Sequence, residues 1–377
     1  MVLVEVGQVI SGRFQIKDVI THRDHNGKCF LFLHEQNLTL HATVSIYIAE
    51  DIPSGQAVAL KLNHKVHYVH YESCLYSRFQ HLDGFPRMYG ACYESYRPPY
   101  GAFAMDLLGP SLDKLVLDAE GSKFNLKTTL QVIDQVITRI QALHTQSFIH
   151  CGIKPDNFCI GPPGANENKV YMIDFDLAKK FRDHLTKLHI PYREKQDPVG
   201  NPYWSSLNVD MGIKGSRRDD MESMGYMAVF FLKGILPWHS DHARRSPYPE
   251  FRKKSETTLE YLCQDLPEEF ATYMTYCRSL KFDDEPDYDH CRGLFRQVFE
   301  REGFEDDGVY DWAASELELD IWENEPSPGS PQVSAWGGGD DTDLEIAGTV
   351  DPVDSVDTAN AANAAGTVET FDTVDTC

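Results

Sequence analysis

The apolar residues of this chain change period near Asp113, and the change divides the sequence into two kinds of structure. Before it, short β-branched and aromatic runs at residues 45–49 and 57–62 are punctuated by Pro53-Ser54-Gly55 and Asp83-Gly84. That is the pattern of antiparallel strands joined by tight turns. Residues 71–81 interrupt the strands with helical spacing. Beyond Asp113, Leu126, Leu130, Ile133, Ile137 and Ile140 recur every three or four residues and share one stripe of a long helix. Residues 221–232 are apolar almost all round, as in a helix buried inside a domain, whereas 259–278 and 291–300 are amphipathic. The expectation is an α+β chain with a small β-rich lobe followed by a larger helical lobe.

Charge separates off the remainder. The 377 residues carry 35 Lys and Arg against 58 Asp and Glu, a net charge of −23. Residues 313–377 hold fifteen of those acids and no Lys or Arg, so removing them brings the charge from −23 to −8. The same stretch contains SPGSPQ, WGGGDD and NAANAAG, with few apolar side chains to offset the entropy of ordering. It is expected to be a disordered acidic tail. The acidic balance argues against nucleic acid or an anionic membrane as partner. No apolar run approaches the roughly 18–20 residues of a membrane span, and the start shows no secretory signal. Nine cysteines without a CxxC pair are expected to be reduced, mostly structural thiols. The expectation is a monomeric, cytoplasmic and/or nuclear protein.

The strongest local signal is HCGIKPDNF (150–158) followed by YMIDFDLAKK (171–180), two strand-like runs that each present a polar group to one place. The arrangement resembles the catalytic and metal-binding loops of a protein kinase, with Val58-Ala59-Leu60-Lys61 as its lysine strand and Glu72 as the lysine's helical partner. Five longer stretches closely resemble the casein kinase 1 family: MDLLGPSL (105–112), HIPYRE (189–194), SRRDDMESMGY (216–226), LPW (236–238) and CRSLKFDDEPDY (277–288). The similarity runs from about Gly12 to Trp312. It implies a bilobal protein-kinase fold, with a kinase-like N-lobe over 12–104 carrying an insertion near 21–37 and a kinase-like C-lobe over 105–312, ATP and Mg in the cleft and residues 105–108 as the hinge. Ala59, Met105, Leu107 and Leu108 would then line the nucleotide, Lys61 and Glu72 would serve the phosphates, and Lys154 would belong to the catalytic loop. Asn157 and Asp174 would be metal ligands. A protein substrate or partner is implied as well.

Departures from that family pattern bear on function. The catalytic loop of a kinase carries Asp where this chain has Gly152, and glycine can neither accept a proton nor orient a hydroxyl. General-base assistance is worth about 10²–10⁴ in rate, roughly 3–5 kcal/mol of barrier. Cys151 replaces the loop's basic residue and would need a strongly lowered pKa to substitute. The phosphate loop, in the register fixed by residues 58–61, falls on LTLHATV (38–44) and has no glycine to let backbone N–H groups approach phosphate. The alternative register, His25-Asn26-Gly27-Lys28, offers one glycine. Asp176 stands where the metal loop has glycine, either strengthening divalent binding or pairing with Lys179 or Lys180. Tyr203 stands where the family places an arginine of its anion pocket, while Arg244, Arg245, Arg252, Lys253 and Lys254 form another basic cluster, either a different anion site or a solvated surface.

The reading is a casein kinase 1-like pseudokinase that binds a protein partner, with residual nucleotide and Mg binding open. Its competitor is a working Ser/Thr kinase on acidic substrates, with Asp156 or Asp176 recruited as base. Lys61–Glu72 is equally readable as a plain ion pair, and Asn157 as a loop cap. Two clusters, His22, His25, Cys29, His34, His41 and His64, His67, His70, are not read as zinc sites, because four ligands must converge tetrahedrally and histidines at three-residue spacing on a helix often merely share a face.

Overall fold

The structure is a computed structural model and describes residues 4–24, 29–30, 42–94, 100–239 and 249–314. Residues 315–377 of the expected acidic tail, residues 38–41 of the first candidate phosphate loop, the alternative at His25-Asn26-Gly27-Lys28, and His34, His41, Arg244 and Arg245 lie outside the described residues. Strands β1 (Val9–Ile10), β2 (Phe14–Asp24), β3 (Cys29–Phe30), β4 (Ala42–Asp51) and β5 (Gln56–Asn63) lead into helix α1 (Val66–Phe79), followed by β6 (Met88–Glu94) and β7 (Tyr100–Asp106). They form one antiparallel sheet in the order β1-β2-β4-β5-β7-β6, with β3 against β2. At the β4–β5 turn the N–H groups of Ser54 and Gly55 donate to Asp51 O at 3.0 and 2.8 Å. Pairing of β2 with β4 runs from Phe14 opposite Asp51 to Asp24 opposite Ala42. Ala42, Thr43 and Val44, expected in the phosphate loop, therefore belong to strand β4. Val44 is held in the ladder opposite Arg23 on one side and Asn63 on the other.

Alternation along β5 decides what faces the core and what faces the site. Val58, Leu60 and Leu62 pack with Ile16, Tyr47 and Ala104, so Ala59 and Lys61 point to the opposite face. Helix α1 covers that face through Val69, Glu72, Leu75, Tyr76 and Phe79, spaced three and four apart.

The helical part comprises α2 (Leu112–Asp118), α3 (Leu126–Thr145), β8 (Phe148–Ile149), β9 (Phe158–Ile160), β10 (Val170–Met172), β11 (Lys179–Lys180), α4 (Leu207–Asp210), α5 (Arg217–Lys233), α6 (Pro249–Glu256), α7 (Leu259–Leu262), α8 (Glu268–Ser279) and α9 (Tyr288–Arg301). The α+β expectation of a β-rich lobe before a helical one is met. Asn125 caps α3 by accepting from Thr128 N–H at 2.8 Å, and Ser216 and Asp219 cap α5 reciprocally. Asp219 and every residue from there to Phe231 of α5 are buried. The amphipathic stretch 259–278 is two helices rather than one, because Pro267 cannot continue a helix and instead precedes the first turn of α8. Among the described residues no helix is long and apolar enough to cross a membrane.

Two expectations are corrected by packing. Lys254, assigned to an exposed basic cluster, is fully buried. Its ammonium donates to Pro202 O and Ser205 O at 2.7 Å each and to Asp210 Oδ2 at 2.8 Å. It ties α6 to α4 and is spent on structure, whereas Arg252 and Lys253 are exposed. Cys92, Cys159, Cys263, Cys277 and Cys291 are free thiols as expected, but Cys74 is disulfide-bonded.

Replacing Lys254 by alanine would strand a buried carboxylate at Asp210. Lys254→Ala is expected to lower stability by about 3–5 kcal/mol, read as a shifted urea midpoint, while Arg252→Ala changes it by less than about 0.5 kcal/mol.

Candidate active site

Strand β5 and helix α1 bring two charges together beneath the sheet. Lys61 Nζ lies 2.7 Å from Glu72 Oε1 and 2.6 Å from Asp174 Oδ1. Lys61 and Glu72 are only 6 % and 3 % exposed, so this is a buried three-way contact rather than a surface pair. Asp176 lies close enough to act on both. Two carboxylates thus contact one ammonium, and a third, Asp176, acts on it through its charge. Burial pushes Glu72 from the ordinary 4.5 up to about 7; the Lys61 charge pulls it down, and Asp174 and Asp176 push it further up. Burial alone would favour neutral Lys61, but Asp174, Glu72 and Asp176 outweigh it and raise its pKa well above the usual value.

A short hairpin delivers the other polar groups. In the β9–β10 ladder Met172 sits opposite Phe158, so Asn157 and Asp174 leave the hairpin at the same end. Ile173 N–H donates to Asn157 O at 3.0 Å, closing that end. Asp174 takes the left-handed φ of +68° and is held there by Tyr76, whose hydroxyl accepts its N–H at 3.0 Å. The Asn157 amide donates to Gly152 O at 2.8 Å, and its Oδ1 is buried with no hydrogen bond. Phe175 fills an aromatic nest of Tyr76, Phe79, Phe85 and His150, with ring centroids 4.9–5.7 Å away.

The loop at residues 150–152 is fully supported from below. Asp220 of α5 accepts His150 N–H at 2.7 Å and Cys151 N–H at 2.9 Å, and its Oδ2 also meets His144 Nε2 at 2.9 Å. His150 Nε2 donates to Ile173 O at 3.0 Å. Gly152 therefore sits on a built loop but carries no side chain toward the cleft. A Cβ placed there would meet His150 Nδ1 at 3.3 Å and the Asn157 amide nitrogen at 3.4 Å, so the backbone tolerates a larger residue with small shifts. Desolvation pushes the Cys151 thiol up to about 12, which removes it as a proton acceptor. Lys154 lies 3.7 Å from Asp156, and Asp156 also acts on Asp113.

At the other side of the cleft Met105 of β7 is paired opposite Ala59 of β5. Leu107 is buried and Leu108 half-buried, and among the described residues no hydrogen bond uses the backbone of either. Tyr203 is a packing residue: its ring meets Trp204 and His239, and its hydroxyl accepts Leu236 N–H at 3.0 Å.

These groups fit a nucleotide and a divalent cation in part. The backbone of Leu107 and Leu108 would be free to meet a base, Lys61 would have to share its ammonium between phosphate and its two carboxylates, and Asn157 Oδ1 with Asp174 would supply two hard oxygens, the number Mg²⁺ usually takes from a protein when phosphate completes its shell. Among the described residues no three His, Cys, Asp or Glu side chains converge as a metal cage. Tyr76, His144, Asp220 and Asp113 were not singled out from sequence. Only Asp220 left a trace, in the acidic pair that opens an apolar helix.

The raised Glu72 pKa sets a pH dependence. The folded protein holds a proton there that the unfolded chain releases, so stability contributed by Glu72 is present below about 4.5 and falls as pH rises toward about 7. Glu72→Gln is expected to remove that fall, read as the difference in urea midpoints between variant and parent from pH 4.5 to 7.5.

A family model describing the protein kinase domain matches residues 46–284, more than half of the chain. With a curled antiparallel sheet, a helical lobe and a lysine–glutamate–aspartate contact between them, this chain belongs to the protein kinase family.

Proposed function

We propose that the chain is a casein kinase 1-like pseudokinase, a kinase-fold scaffold that binds a protein partner and retains ATP and Mg without efficient phosphoryl transfer. The observation that carries this is Gly152 on an otherwise intact loop. Asp220 holds the backbone of residues 150 and 151, so the missing proton acceptor is a loss of chemistry and not of conformation. Neighbouring groups do not replace it. Cys151 is a firmly protonated thiol, Asp156 is engaged beside Lys154, and Asp176 contributes its charge to the Lys61 cluster.

What remains is a binding constellation. Ala59, Met105, Leu107 and Leu108 would hold the base, Lys61 positioned by Glu72 would hold phosphate oxygens, and Asn157 and Asp174 would hold the metal. Bound Mg²⁺ would neutralise phosphate charge. It would also relieve the excess of carboxylates around Lys61. Lys154 would reach a phosphate oxygen only by leaving Asp156. Phosphoryl transfer depends almost wholly on positioning and electrostatics, and positioning of the attacking hydroxyl is the part that is gone.

Radiometric assay with Mg²⁺ or Mn²⁺ and casein is expected to show no transfer above an Asp174→Ala control. ATP with Mg²⁺ at 100 times its Kd is expected to stabilise the parent by about 2.7 kcal/mol, and Lys61→Met to abolish the shift. Gly152→Asp is expected to keep that binding and raise transfer. Parent activity abolished by Asp174→Ala would overturn the proposal in favour of a kinase with a displaced base.

A further inference from the structure

Residues 183–188 form a turn held by its own backbone. Asp183 N–H donates to Leu188 O at 2.9 Å, and Lys187 N–H donates to Asp183 O at 3.0 Å. The Asp183 carboxylate accepts the N–H groups of Leu185 and Thr186 at 3.0 and 2.7 Å and the Thr186 hydroxyl at 2.9 Å. Beneath the turn Arg182 bridges to His189, whose ring lies between Phe181 and Phe282 with centroids 5.5 and 4.8 Å away. The tip is therefore fixed in shape, and what it displays is apolar. Leu185 is 78 % exposed and Leu188 71 %, the two most exposed large apolar side chains among the described residues.

Charge on this face is opposite to that of the chain. Residues 179–195 carry six Lys and Arg against Asp183 and Glu194, a net +4, whereas the whole chain is −23 and fifteen of its acids lie in 313–377. Lys187, Arg193 and Lys195 are exposed, and Asp183 is committed to its turn. Tyr192, also exposed, adds an aromatic ring whose hydroxyl donates to Glu194 at 2.9 Å.

Shape decides what can cover the leucines. Small ligands and apolar anchors seat in concave sites, and a peptide laid across a protruding tip covers one side of it. A lipid interface closes around a protrusion: apolar side chains enter the acyl boundary while lysine and arginine heads stay among the headgroups. A basic surround then selects anionic lipid.

We propose that this turn is a membrane-contact site, at which Leu185 and Leu188 enter a bilayer containing anionic lipid and Lys187, Arg193 and Lys195 meet its headgroups. The expectation that acidity excludes an anionic membrane describes the average of the chain and not this face. The contact is peripheral and reversible, because two side chains and a few charges fall far short of a spanning helix. It is independent of phosphoryl transfer.

The test uses the full chain and sedimentation with sucrose-loaded vesicles, either phosphatidylcholine alone or phosphatidylcholine with phosphatidylserine as a third of the lipid. The protein is expected to sediment with the phosphatidylserine vesicles and not with the others. Raising salt from about 0.1 to 1 M, which shrinks the Debye length from about 10 to 3 Å, is expected to release it. Leu185→Ala combined with Leu188→Ala is expected to weaken binding about tenfold, or about 1.4 kcal/mol, with an unchanged urea midpoint because both side chains are exposed. Lys187→Glu is expected to weaken binding and Lys187→Arg to preserve it. Failure of the parent to sediment, equal sedimentation with both vesicles, or full binding by the double leucine variant overturns the proposal. A fluorescein-labelled peptide of alternating glutamate and leucine tests the competing occupant. Binding of that peptide but not of vesicles, lost in the double variant, assigns the turn to an acidic protein and overturns the membrane contact.

Discussion

Asp220 is a carboxylate buried at the start of α5, and the site is arranged around what it accepts. Desolvation works against its charge, but the bonds from His144 and from the His150 N–H hold its pKa below the usual range. Because a carboxylate only accepts, His144 Nε2 carries the shared proton, and Nδ1 is left to accept from the Tyr288 hydroxyl at 2.7 Å. A relay thus runs from α9 through α3 to α5 and ends on the loop that precedes Gly152. Without Asp220, two buried N–H groups would lose their partner, and the hairpin carrying Asn157 and Asp174 would lose the neighbour it closes against.

From that anchor the remaining contacts follow in layers. His150 passes the fixed position to Ile173 O, and the β9–β10 ladder passes it to Asp174. Asp174 reaches up to Lys61, which belongs to the sheet. Phe175 does the same through dispersion, inserting between α1 and the loop. Where the two lobes meet, a buried ionic contact and an aromatic nest thus lie side by side, flanked by the Asp174 N–H donated to Tyr76 and the Tyr71 hydroxyl donated to Ala178 O at 2.7 Å.

Much of this was legible in the chain. The three- and four-residue spacing of Leu126 through Ile140 marks α3, which extends to Thr145, and the alternation at Val58, Leu60 and Leu62 places Lys61 on the site face. The coincidence of Asn157 and Asp174 could be anticipated from two short apolar runs ending in polar groups. The rest was not legible because it depends on partners distant in sequence. Nothing local marks Lys254 as buried; it goes inside because Asp210 and the carbonyls of Pro202 and Ser205 wait there. Residues 259–278 have one amphipathic pattern, yet Pro267 divides it. Asp113 acquires its environment only when Asp156 is folded against it.

His150 Nδ1 and the Asn157 amide nitrogen lie 3.3 and 3.4 Å from where a Cβ at residue 152 would stand, so a larger side chain enters only if they give by a few tenths of an ångström. The same amide donates to Gly152 O. Position 152 and the Asn157 side chain are thereby coupled, and a substitution at one is felt at the other.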